Sequence, residues 1–279
     1  MKLATIRTST VGTAAVRIDD DEAVETGYSD VGALLLEPDW RNIAARAEGI
    51  RHDAATLDYA PVIRNPEKII CVGLNYRSHI LEMGREIPEY PTLFAKFPSA
   101  LIGAYDDIVL PGVSDAVDWE AELAVVIGTS VRHRDVAQAH SAIAGYCVLN
   151  DITARDWQYR TVEWLQGKTF ESTTPIGPYL VTADEFDIVT ASIEARLDDE
   201  IVQSAKLDDL VFGPAELIAY LSRVLTLRPG DIIATGTPGG VGHARDPKRY
   251  LTAGAVITTT VTGLGECHNR CQEEKIHAA

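Results

Sequence analysis

Apolar and polar positions alternate along residues 2–7 and again along 13–18, with Gly12 near the turn between them. Such alternation marks half-buried strands, so the chain opens on a predicted strand pair. A further apolar run follows at 32–37, and 39–48 reads as a helix closed by Gly49. The stretch "TLDYAPVIRNPEK" (56–68) carries two prolines and reads as an extended linker. It separates a small N-terminal domain, 1–65, from a main domain, 66–279.

Beyond the linker the pattern is strand-rich. "KIICVGLN" predicts a short buried strand. "YRSHILEMG" predicts a brief helix, with Asn75 as its cap and Gly84 closing it. Proline-rich text then runs to Pro98. Strands are expected at 107–110, 121–128, 145–150, 177–182, 193–203, 231–236 and 255–262. One helix is expected at 135–144. Another starts at Gly213-Pro214, with Pro at its first position and Leu217, Ile218, Leu221, Val224 and Leu225 at helical spacing. Strands dominate and helices do not alternate regularly with them. That predicts a β-rich α+β fold with a small N-terminal α/β appendage, not a doubly wound α/β sheet.

The strand "VDWEAELAVVIG" (117–128) carries acids at Asp118, Glu120 and Glu122, all expected on one face, while Trp119, Ala121, Leu123, Val125 and Ile127 form the other. Same-face carboxylates at this spacing repel by roughly 2.5 kcal/mol at an effective dielectric near 20. A wet strand face tolerates that repulsion, whereas a partly buried cleft needs a cation. "GYCVLNDITARDWQ" (145–158) is an apolar strand ending at Asn150-Asp151, where an Asp serves as a turn or helix cap. The same position can present a third ligand. Glu120, Glu122 and Asp151 would make an all-oxygen site suited to Mg2+, Mn2+ or Ca2+ rather than zinc. In "NYRSHILEMG", His79 and Glu82 are spaced as neighbours on a helix face. Either they are an exposed pair, or the carboxylate orients the imidazole as a general base.

Composition narrows the partner. Lys plus Arg is 25, Asp plus Glu is 41, and the formal net charge is −16. Such a surface repels nucleic acid and anionic membrane, and an anionic small-molecule substrate would need local positive charge supplied by the site itself. Against this acidity, Lys96 in "TLFAKFPSA" and Lys168 in "LQGKTFEST" are either anion contacts or snorkelling side chains. "DIIATGTPGGVG" (231–242) runs a strand into a Gly-rich loop without the ending of a P-loop, though Thr235 and Thr237 could meet a carboxylate. Cys71 and Cys147 read as buried thiols. "CHNRC" at Cys267 and Cys271 lacks a second zinc-spaced pair and reads as a surface tail. The N-terminus shows no apolar signal-peptide segment and no run spans a membrane, so a cytoplasmic protein is expected.

Seven segments together resemble the fumarylacetoacetate hydrolase family: "GLNYRSHILEMG", "PTLFAKFPSALIG", "DWEAELAVVIG", "GYCVLNDITARDWQ", "GKTFESTTPIGP", "VFGPAELIAYLS" and "LRPGDIIATGTPGGVG". They cover about residues 68 to 265 in the family's order. The resemblance implies a mixed β-roll, a homodimer, and one divalent cation per subunit, Mg2+ or Mn2+. It places metal carboxylates on Glu120, Glu122 and Asp151, and a His–Glu dyad on His79 and Glu82. It places a substrate-contacting, catalytic lysine on Lys168. Lys96, Arg155, Gln158, Tyr76, Gly236 and Thr237 fall at substrate-binding positions, and Asp118 is left in support. Departures from the family pattern are Asp198-Asp199 at a common Asn-Gly turn and Gly254-Ala255 at a usual Gly-Asp. The implied reaction is metal-dependent C–C hydrolysis of an acylpyruvate, with fumarylpyruvate, an aromatic-catabolism intermediate, as the expected substrate. Decarboxylation of oxaloacetate or isomerisation of an unsaturated 2-oxo acid on the same metal site is the alternative. A non-catalytic 2-oxo acid or metal-binding protein is the reading of another class.

Overall fold

The strand Ala121–Ile127 is buried along its whole length because its two faces pack on different cores. Ala121, Leu123, Val125 and Ile127 enter one, and Ala124 and Val126 enter the other, as the period-two geometry of a strand requires. This computed structural model describes residues 1–9, 12–82 and 84–275, with Glu82 described by its backbone alone. Ala121–Ile127 runs through an 11-stranded mixed sheet. It pairs antiparallel with Ile143–Asn150 on one side and with Ile232–Ala234 on the other. Ile232–Ala234 in turn runs parallel to Ile69–Gly73. A five-stranded sheet packs over one face, and its Ile193, Ala195, Leu197, Ile257 and Val261 close the first core. The helix Pro214–Val224 adds Leu217, Ile218 and Leu221. Helices Val31–Leu35 and Trp40–Ala45 cover the second core with Val31, Leu34, Leu35, Trp40 and Ala44. The β-rich α+β architecture is therefore the one the pattern predicts.

The first two strands, Lys2–Thr8 and Gly12–Asp19, pair with each other, and Lys2–Thr8 also pairs with Thr174–Thr182. The segment before Pro61 and Pro66 thus extends the same sheet, with a small core of its own at Ala4, Ile6, Ala14, Val16 and Ala23.

Several local expectations are corrected. Residues 193–203 are a hairpin, not one strand. Ser192–Leu197 turns at Asp198-Asp199 into Glu200–Lys206, with Asp198 at φ +53°, a left-handed conformation that Asp tolerates. The apolar run at 32–37, to which the pattern assigns no element, lies mostly in the helix Val31–Leu35, which Asp30 caps by accepting from the Ala33 N–H at 2.9 Å. Short apolar runs do not distinguish helix from strand by period alone. "CHNRC" is no surface tail: it lies in the strand Gly265–Glu273, and Cys267, Asn269 and Cys271 alternate into the interior. The proline-rich text before Pro98 contains the strand Thr92–Lys96, paired with Ile69–Gly73.

Candidate active site

Antiparallel pairing sets Ala121 opposite Asn150 and Glu122 opposite Leu149. The strand that begins just after Glu120 therefore lies beside the strand that ends just before Asp151. One oxygen from each of Glu120, Glu122 and Asp151 lies within 4.8 Å of the others, and all three residues are buried. The strand Ile232–Ala234 leads into the same end of the sheet, where the Gly236 N–H donates to Glu122 Oε2 at 2.8 Å. Ile69–Gly73, parallel to it, leads there into the helix Arg77–Glu82, which carries His79.

Three cations thread this buried acidic cluster. Lys168 Nζ donates to Glu120 Oε2 at 2.6 Å and to Asp151 Oδ2 at 2.8 Å. Lys96 Nζ donates to Asp151 Oδ1 at 2.6 Å and to the Ile152 carbonyl at 3.1 Å. Arg155 Nη1 meets Glu120 Oε1 at 2.7 Å. Both lysines are buried to the ammonium, so neither snorkels. Burial opposes the Lys168 charge, but Asp151 and Glu120 outweigh it and raise its pKa. Burial likewise opposes the Asp151 charge, yet Lys168 and Lys96 hold this carboxyl below its ordinary value. Glu122 is the exception. It makes no ion pair among the described residues, and burial, then Asp151 and Glu120, push its pKa well above the usual carboxylate range.

This donor set fits a hard divalent cation. Three carboxylates converge, and the repulsion that raises Glu122 is what a cation among them would relieve. Cys71 offers no competing soft ligand, because burial and then Asp151 and Glu122 push its thiol well above its ordinary value.

Glu120 and Glu122 of the cluster, with Lys168 and Arg155, form the floor of a cavity of about 160 Å³, which Asp151 itself does not line. His79, Arg155, Gln158, Lys168 and Thr237, all expected at the site, line it with Glu120 and Glu122. Gln203 Nε2 fixes Thr237 by donating to its hydroxyl at 2.8 Å. Arg155 Nη2 is buried with no protein partner, which leaves a donor for a ligand. Lys96, Tyr76 and Gly236 do not line the cavity. Lys96 stands behind Asp151, Gly236 gives its N–H to Glu122, and the Tyr76 hydroxyl is buried without a hydrogen-bond partner. The side chain of Glu82, the expected partner of His79, lies outside the described residues. Asn75 does not cap the helix. Its amide bridges the carbonyls of Thr235 at 2.8 Å and Phe212 at 3.0 Å, and Asp209 instead accepts from the Ser78 N–H at 3.0 Å.

Asp118 departs from the shared-face expectation. Pairing breaks at Trp119-Glu120, so Val117–Asp118 pairs with Thr153–Ala154 in a separate two-stranded sheet. Fully buried, Asp118 accepts from the Gly242 N–H at 2.7 Å, the His243 N–H at 2.9 Å and Arg155 Nε at 2.8 Å. It ties the 240s loop to the guanidinium that reaches the cavity.

Arg85, Phe94, Tyr159, Trp164 and His243 also line the cavity and carried no recognisable signal in the sequence. Phe94 and Trp164 meet edge to face at 5.4 Å, and Lys168 Nζ lies 4.9 Å from the Phe94 ring. Gly73 makes room for this wall, since a Cβ there would sit 2.4 Å from the Trp164 ring. Gly73→Ala is therefore expected to displace the indole, to cost about 1–3 kcal/mol in a urea unfolding curve, and to shift tryptophan emission. Unchanged emission and stability would show that the indole is not confined by Gly73.

The profile for the fumarylacetoacetate hydrolase C-terminal domain matches residues 68–272. A Rattus norvegicus protein named oxaloacetate tautomerase Fahd2a, mitochondrial, is 44% identical over 245 residues, spanning 87% of this chain and 78% of its own. The Homo sapiens protein named oxaloacetate tautomerase FAHD2A, mitochondrial, is 41% identical over 248 residues, with 88% and 78% covered. Among solved structures, a fumarylacetoacetate hydrolase from Exiguobacterium antarcticum superposes with a TM-score of 0.88 at 29% identity, covering 98% of this chain and 100% of that one. A 5-carboxymethyl-2-hydroxymuconate delta-isomerase from Mycobacterium smegmatis gives 0.83 at 30%, covering 99% and 100%. The chain belongs to the fumarylacetoacetate hydrolase family, a family of enzymes. These names favour the oxaloacetate and isomerase alternative over hydrolysis of fumarylpyruvate. No helix among the described residues is long and apolar enough to cross a membrane. The two curated relatives are mitochondrial by name, which gives the cytoplasmic expectation no support.

Proposed function

We propose that this enzyme interconverts the keto and enol forms of a short 2-oxo acid, with oxaloacetate as the substrate. The observation that carries the reading is the cavity: about 160 Å³, floored by carboxylates and cations together. It lies below the usual range of ligand pockets and suits a compact acid. The relatives' names point to the same substrate and reaction. Glu120, Glu122 and Asp151 would hold one Mg2+ or Mn2+, which when bound polarises the 2-oxo group as a Lewis acid. His79, on the cavity wall, takes the proton from C3 and delivers it to the 2-oxo oxygen to complete the enol, and carries it back from oxygen to C3 in the reverse direction. The charge that develops on the 2-oxo oxygen faces the Lys168 ammonium and the unpartnered Nη2 of Arg155. Lys168, its pKa raised, serves as a fixed cation rather than a base. Phe94 and Trp164 keep water from the reacting carbon. The homodimer implied by the resemblance belongs to this proposal, and exposed Val113, Tyr159 and Val162 are apolar surface that a second copy would cover.

The test is a substrate panel with and without chelator. Enol-oxaloacetate absorbance should decay far faster with enzyme and Mg2+ or Mn2+ than without, and pyruvate should not accumulate in step. If fumarylpyruvate turned over faster, releasing equimolar fumarate and pyruvate, hydrolysis would replace this reading. Equimolar pyruvate from oxaloacetate would make the enzyme a decarboxylase.

A further inference from the structure

The floor of the cavity nearly balances its own charge, and its rim does not. Lys96, Lys168 and Arg155 are buried among Asp118, Glu120, Glu122 and Asp151, so three cations face four carboxylates. A divalent cation on the triad would leave one positive charge in excess, which the carboxylate of a 2-oxo acid neutralises. A second carboxylate on the substrate therefore needs cationic groups from elsewhere.

Two segments supply polar and cationic groups at the rim. Arg85 follows the helix Arg77–Glu82, lines the cavity and is exposed. Its guanidinium makes no ion pair among the described residues, so a planar set of donors is left for a carboxylate at the mouth. His243 lines the same cavity from the loop beyond Ile232–Ala234. Its position is fixed at several points. Its N–H is held by Asp118, its Nδ1 lies 2.9 Å from the Tyr250 hydroxyl, and its ring centroid is 5.3 Å from that of Tyr159. Lys248 Nζ lies 3.5 Å from His243 Nε2 and also makes no ion pair among the described residues.

We propose that Arg85 and His243, backed by Lys248, form a subsite for the distal carboxylate of a 2-oxo dicarboxylate, and so select such acids over 2-oxo monocarboxylates. The proposal rests on the 2-oxo acid reading of the site. The local potential agrees with it. Burial lowers the His243 pKa, and Lys248 and Arg155 lower it further against the opposing Asp118, so the ring is held neutral and the positive charge on this side of the subsite is that of Lys248.

The experiment compares oxaloacetate with pyruvate, which lacks only the distal carboxylate. C3 hydrogen–deuterium exchange is followed by NMR, and binding of each acid to the Mg2+-loaded protein by tryptophan fluorescence. In Arg85→Gln, the preference for oxaloacetate over pyruvate should fall about tenfold in both kcat/KM and Kd, as expected for one lost charge-assisted hydrogen bond. Arg85→Lys should recover part of that preference, and His243→Leu should reduce it independently. A preference unchanged in Arg85→Gln and His243→Leu would overturn the subsite, even if absolute rates fell. If the wild-type protein exchanges neither acid above the chelator blank, the tautomerase reading fails. The ratio of the two dissociation constants then still decides the subsite.

Discussion

Asp151→Asn is expected to destabilise the fold by about 3–5 kcal/mol and to remove measurable divalent-cation binding. The size follows from what one carboxylate does. Asp151 Oδ1 takes the ammonium of Lys96 and Oδ2 takes that of Lys168, and all three side chains are buried. Neutralising the acid removes the charge that both lysines share and keeps an oxygen for only one of them, so the other falls back on its remaining partner, the Ile152 carbonyl for Lys96 or Glu120 for Lys168. Uncompensated buried charge is what makes breaking such pairs so damaging. An amide also keeps one oxygen where two carboxylate oxygens were, so the triad loses charge and a ligand together. Urea unfolding reads the first effect and a calorimetric Mn2+ titration the second. Lys96→Met separates them: it removes one buried cation, leaves the triad intact, and should keep Mn2+ binding. Wild-type stability and a wild-type isotherm in Asp151→Asn would sink the assignment of this residue as the hinge of the charge network.

The residues of this network were legible in the sequence, while their arrangement was not. Glu120 and Glu122 could be read from strand period, and Asp151 from the abrupt end of an apolar strand. Their meeting depends on antiparallel pairing that sets Ala121 against Asn150, and a period cannot state which strand lies beside which. The same limit explains Asp118. Alternation puts it with the two glutamates, but pairing breaks at Trp119-Glu120, where the Glu120 N–H goes to Asn150 Oδ1 at 2.9 Å instead of to a strand partner. The hairpin at Asp198-Asp199 escaped the strand period, because Asp stands where Asn-Gly would signal the turn, and only the family pattern marked a turn there. Cys267 and Cys271 looked like tail residues because the polar positions between them mask a strand whose alternate side chains are buried. The cavity wall was the least readable part. Phe94, Trp164 and His243 come from three separate segments, and only the folded chain places them around one space. The resemblance to a known family filled much of this gap for the floor of the site, where chemistry constrains residue type. It gave nothing for the rim, where substrates differ.

His79→Ala is expected to reduce enol–keto interconversion by about 10²–10⁴-fold while leaving the Mn2+ isotherm within about twofold of wild type. The split follows from where the imidazole stands. It lines the cavity from the helix Arg77–Glu82, not from the strands that carry the triad, and is not one of the three clustered carboxylates. Loss of the ring therefore removes a proton acceptor without opening the charge network beneath. The helix itself should persist, because Asp209 still accepts from the Ser78 N–H and Gly84, at φ +64°, still closes it through its N–H to the Leu81 carbonyl. KM should change little, since binding rests on the cationic groups and the triad. Imidazole added to the buffer should restore part of the rate by entering the space the ring vacates. Cation affinity falling in parallel with the rate would place His79 in the metal site rather than beside it. A rate within about threefold of wild type would exclude it as the proton carrier and leave Glu122, whose pKa is driven upward by burial and by Asp151, as the group to test next.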